Sequence, residues 1–151
     1  MAPELPELTA HLGYWLRHVS NHVSQAFARK LAAKDVTVAE WALMRVLHDR
    51  RPTSPSQLAS DMGMTRGAIT KLADRLLAKG LIDRKASPDD GRSQTLRLTA
   101  RGADLVPELA ALADENDAEC FADLSDKDRR AMLRILKETV ARLGLTAIPI
   151  D

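Results

Sequence analysis

A chain of 151 residues is long enough for one domain that buries roughly 70% of the surface its unfolded form exposes. Hydrophobic residues at 45% and charged residues at 28% set an ordinary globular balance, and no apolar run nears the roughly 20 residues of a membrane span. The opening stretch MAPELPEL has no basic segment ahead of an apolar one, and Cys120 has no second cysteine to pair with. A cytoplasmic protein with no membrane association is therefore expected.

Net charge is only +1, but it is unevenly spread. Residues 1–44 carry four basic and four acidic side chains, residues 45–101 carry twelve and six, and residues 102–151 carry six and eleven. A basic middle between a neutral and an acidic flank suggests one segment that faces a polyanion and another kept away from it.

In chain order, Leu5, Leu8, Leu12, Leu16, Val19, Val23, Phe27 and Leu31 recur at steps of three and four. That spacing predicts a long amphipathic helix from 5 to about 33. Thr37 with Glu40 reads as a capping box opening a second helix to about Asp49, with Val36 and Trp41 at the staple positions. Ser54, Pro55 and Gln57 predict another capped helix, PSQLASDM, closed by Gly63. Thr65 is the expected cap of a fourth, RGAITKLADRLLAK, ended by Gly80. Ile69, Leu72, Leu76 and Leu77 form its inward stripe.

Two strand-like pieces follow, around 81–86 and 94–99, where Leu96 and Leu98 alternate with Thr95, Arg97 and Thr99. They are joined by the turn SPDDGR. Helices over about 100–121, bent or locally strained at Pro107, and over 126–143, capped by Ser125, complete the chain. The expected fold class is mainly α with a small β-hairpin: a winged helix–turn–helix between N- and C-terminal helices.

That architecture places the fourth helix in a DNA major groove, its N-terminal residues at the base edges and the preceding helix over the backbone. The residues offered are Thr65, Arg66, Gly67, Thr70, Lys71 and Arg75, with Ser54, Ser56 and Gln57 suited to phosphate oxygens. A hairpin tip beside a groove-bound helix reaches the adjacent minor groove, where negative potential draws an arginine. Arg92, with Ser93, is the candidate, and Asp89 or Asp90 would brace its guanidinium.

The segment SPSQLASDMGMTRGAITKLADRLLAKGLIDRKASPDDGRSQTLRLTARG, with Asp90, Arg92, Leu96, Leu98, Thr99 and Gly102 after LAKGLIDR, resembles the MarR family of bacterial transcriptional regulators. The order of flanking helices also matches, so the resemblance covers nearly the whole chain. It implies one MarR-type domain over 1–151, with dimerisation helices in 1–35 and 100–145 and a DNA-binding region in 37–99. It further implies an obligate homodimer on a pseudo-palindromic double-stranded operator, with DNA binding loosened by small molecules, metal or oxidant; a repressor released by a small aromatic or phenolic effector is expected here. The apolar stripe Met132, Leu133, Leu136, Val140 and Leu143 independently asks for a partner surface, and two-fold symmetry would set the reading helices about 34 Å apart.

The effector is less legible. His11, Trp15, His18 and Trp41 are the expected pocket walls. His18 and His22 have the i, i+4 spacing that metals use, but no Cys, Asp or Glu accompanies them, so histidines lining a helix contact are expected and no metal. Cys120 lies among Glu115, Asp117, Glu119 and Asp123, a poor setting for an easily oxidised thiol, and reads as structural. No glycine-rich phosphate loop or nucleophile elbow is present, so neither an enzyme nor a cofactor is expected. Two alternatives stand beside the regulator: a winged-helix module for protein contacts, and a metal-responsive sensor built on the histidines of the first helix.

Overall fold

The computed structural model describes residues 1–86 and 94–150. Its elements run Leu8–Ala10 (a single 3₁₀ turn), α1 Leu12–Ala32, α2 Val38–His48, α3 Pro55–Met62, α4 Arg66–Ala78, β1 Ile82–Ala86, β2 Gln94–Leu98, α5 Ala100–Cys120 and α6 Asp126–Leu143. The mainly helical class with one hairpin is as the sequence predicts.

The first helix starts later than its leucine spacing suggests. Pro6 disfavours helical geometry at Leu5, and His11 is extended at φ −98°, ψ 130°, separating the short turn from α1. Leu5, Leu8 and Leu12 therefore lie on or before the first turn and remain exposed.

Caps set most other boundaries. The Thr37 hydroxyl accepts from the Glu40 amide and the Glu40 carboxylate accepts from the Thr37 amide, a complete capping box. Ser54 caps α3 through the Gln57 amide, but the reciprocal half is missing: the Gln57 side chain donates instead to Asp61, 2.8 Å away. Thr65 and Ser125 cap α4 and α6 as expected. Thr99, read from sequence as the last residue of a strand, caps α5 instead. That helix runs through Pro107 without a break.

The hairpin is antiparallel, pairing Ile82 with Leu98 and Ala86 with Gln94. Thr53, just before α3, exchanges two backbone bonds with Leu96 (3.0 and 2.8 Å), so the hairpin is fastened to the start of the helix–turn–helix. A core of Leu43, Met44, Leu58, Met62, Ile69, Leu76, Ile82, Leu96 and Leu109 unites α2 to α5 with the hairpin base. α1 is held to α5 by Lys30, which donates to Asn116 (3.1 Å) and Glu119 (2.8 Å), and by the buried Asn116 amide on the Val23 carbonyl. α6 buries none of its residues within the chain. No helix among the described residues is long and apolar enough to cross a membrane.

Candidate nucleic-acid interface and adjoining cavity

α3 and α4 are joined by a three-residue turn made possible by Gly63, at φ +64°. The apolar stripe Ile69, Leu72, Ala73 and Leu76 buries one face of α4, which leaves Thr65, Arg66, Gly67, Thr70 and Lys71 exposed on the other. Arg66 and Lys71 make no ion pair with any described residue. The Thr70 hydroxyl donates to the Arg66 carbonyl (3.0 Å), which fixes its side chain along the helix. A Cβ added at Gly67 would meet nothing within 4 Å, so this is the barest point on the face.

Ser56 is exposed and Ser54 half-buried beneath its cap, and both stand at the N-terminus of α3. Gln57 is engaged by Asp61, which also holds Arg50 and is thereby kept below the ordinary carboxylate range, Arg50 being the larger influence. A cleft of about 260 Å³ gathers Pro55, Arg66, Thr70, Arg84 and Gln94. The sequence reading missed Arg84 and Gln94. Arg84 reaches from β1 to Asp74 on α4 (3.0 Å), tying hairpin to helix, and only the hairpin register puts it opposite the exposed side of α4.

Arg75 is placed differently from the residues before it. Its guanidinium donates to the Thr37 hydroxyl (2.9 Å) and lies 3.3 Å from Glu40, on the α2 side of α4. Glu40 is fully buried, with the Lys79 ammonium 3.0 Å from its second oxygen. Burial opposes its charge, but the Thr37 amide and the Lys79 ammonium outweigh that and hold its pKa below the ordinary value. Four of the sequence candidates, Asp89, Asp90, Arg92 and Ser93, lie outside the described residues.

Behind this face, α1, α2 and α5 border an open cavity of about 1040 Å³. Its walls are mainly apolar, with Val23, Phe27, Trp41 and Val46 prominent, and Arg45, Arg75 and Asn116 provide polar points. Of the expected pocket residues, Trp41 lines it. His11, Trp15 and His18 do not: His11 is the exposed residue before α1, and the other two sit on its exposed N-terminal part, where Trp15 donates to the Thr9 carbonyl (2.9 Å) and His18 lies 3.2 Å from the Tyr14 hydroxyl. At about 100° per residue, Trp15 and His18 fall on the opposite face of α1 from Ser20, Ser24 and Phe27, which line the cavity. Among the described residues no group of three or more His, Cys, Asp or Glu side chains could hold a metal ion.

Residues 36–94 match the MarR family model. The chain is 30% identical over 129 residues to the HTH-type transcriptional repressor Rv2887 of Mycobacterium tuberculosis, covering 85% of this chain and 93% of that one. It is 27% identical to the HTH-type transcriptional repressor IacR of Pseudomonas putida, over 82% of this chain and 74% of that one. The structure of the transcriptional repressor CouR bound to a 23-mer DNA duplex superposes with a TM-score of 0.76 at 26% identity, covering 93% of this chain and 99% of that one.

Proposed function

The chain belongs to the MarR family, and from that premise we propose that it is a cytoplasmic, homodimeric, sequence-specific DNA-binding repressor without enzymatic activity, released when a small aromatic or phenolic molecule fills the cavity between α1, α2 and α5. The observation that carries the reading is the outer face of α4. Arg66 and Lys71 stand there exposed and unpaired among the described residues, beside the bare Gly67, on a helix that the core and a fastened hairpin hold rigid. Two cations unpaired among the described residues, around a position without a side chain, suit a polyanion approached closely. A major groove fits, because arginine reads guanine edges and lysine grips phosphate.

Arg66, Thr70 and Lys71 are assigned to the major groove, with Thr65 and Gly67 at its closest approach. Ser54, Ser56 and Gln57 are assigned to phosphates, and Arg92 with Ser93 to the minor groove, braced by Asp89 or Asp90. Arg75 is assigned to holding α4 against α2 rather than to a base. Selection of bound duplexes from a random pool tests the reading, and a pseudo-palindromic consensus is the expected result. On that consensus, Arg92→Ala costs about 1–3 kcal/mol, and Lys71→Ala weakens binding while reducing the salt slope by about one. Recovery of no preferred sequence, or equal affinity in both variants, would reject it.

A further inference from the structure

The segment after α6 does something that neither the winged domain nor a dimerisation helix requires. It leaves α6 at Gly144 and returns to the helix–turn–helix of its own chain. There the Ile148 amide donates to the Met62 carbonyl at the end of α3 (3.0 Å), and Ile148 packs against the core. Ile148, Pro149 and Ile150 line the same cavity as Trp41. The crossing is tight: a Cβ at Gly63 would stand 2.6 Å from the Ala147 Cα, closer than any real contact, so only glycine lets the segment lie where it does.

We infer that residues 147–150 are a gate: a strap that covers one side of the open cavity between α1, α2 and α5, and whose anchor is the turn leading into α4. Among the described residues its hold is slight, a single backbone hydrogen bond and two half-buried isoleucines, the kind of attachment that opens locally while the rest of the fold stays closed. A ligand entering beneath Trp41 passes the strap, and lifting the strap frees the Met62–Gly63 corner on which the pitch of α4 depends. Its regulatory meaning rests on the proposed effector reading of the cavity, but the strap itself is tested without DNA or effector.

The structure supplies both the test and its control. Gly63→Ala puts a methyl group into the path of the strap but also strains a left-handed residue, and Gly144→Ala carries the same strain, at φ +67°, with nothing within 4 Å of the added carbon. A third variant, Ile148→Pro, deletes the donor to Met62 without touching either glycine. In a Trp15→Phe background Trp41 is the only indole, and its quenching by acrylamide reads whether the strap covers it. Gly63→Ala and Ile148→Pro should each raise the quenching constant by roughly twofold or more and speed association of the fluorescent aromatic anion anilinonaphthalene sulfonate by about fivefold, with Gly144→Ala like the parent in both. A rise shared by Gly144→Ala, or no change in any variant, would overturn the gate. Either result leaves operator binding, measured separately, to judge the DNA reading by itself.

Discussion

At the scale of single residues, Glu40 shows how the fold keeps a charge in its interior. It completes the cap of α2, and its carboxylate is the meeting point of α2 with Arg75 and Lys79 of the reading helix and its end. Its pKa is held below its ordinary value of 4.5, so the native state prefers the ionised form. The stabilisation is therefore present above the unfolded-state value near 4.5 and is lost as pH falls through the lower native value. Glu40→Gln keeps the shape and removes the charge. It should lower stability by about 1–3 kcal/mol at pH 7. Urea unfolding across pH should show the gap between the two proteins narrowing below pH 4.5, and a constant gap would mean that the carboxylate acts through packing alone. In the sequence, Arg75 shows only its position in a basic helix, which suggests the groove. Its partner Thr37 lies 38 residues away, and only the packed chain brings them together.

At the scale of elements, what was legible was local. Thr37, Ser54, Thr65 and Ser125 each satisfy an amide three residues on, so the starts of four helices follow from short spacing rules. What was illegible depends on distant pairings. The Thr53–Leu96 bridge, the cavity walls and the placement of Arg84 need strands and helices set side by side before they exist. α1 misled because leucine spacing continues past the point where Pro6 halts helical geometry. The base of the hairpin offers a check on such long-range fit. Gly102, in the first turn of α5, lies so close to the Leu81 carbonyl oxygen that an added Cβ would collide with backbone, and it also approaches Leu98 at 3.3 Å. By helix propensity alone, Gly102→Ala would stabilise by about 1 kcal/mol. The crowding should reverse that sign, giving a net loss of about 1–3 kcal/mol by chemical denaturation as α5 is pushed off the hairpin. A more stable variant would show that α5 shifts at no cost.

At the scale of the whole molecule, one chain is incomplete. α6 is an 18-residue helix with no buried residue, yet it presents Met132, Leu133, Ile135, Leu136, Val140 and Leu143 at 40–56% exposure. The N-terminal end of α1 adds Leu12, Trp15, Leu16 and Val19 in the same condition. Apolar area of that extent left in water is costly at about 25 cal/mol per Å². A second copy covering α1 and α6 removes the cost and places two α4 helices on one face of a duplex, as a two-fold operator requires. Leu133→Asp with Leu136→Asp should therefore yield a monomer by sedimentation. Its helical content should be unchanged, since both side chains are exposed and neither belongs to the core of its own chain. Each monomer keeps Arg66, Lys71 and its hairpin, so local groove chemistry survives, but the second half-site no longer binds at high effective concentration. Operator affinity should fall by roughly 10²–10⁴, the gain that tethering two sites supplies. A variant that sediments as a monomer and still binds with parental affinity would show that one winged unit suffices, and a variant that remains dimeric would move the interface away from α6.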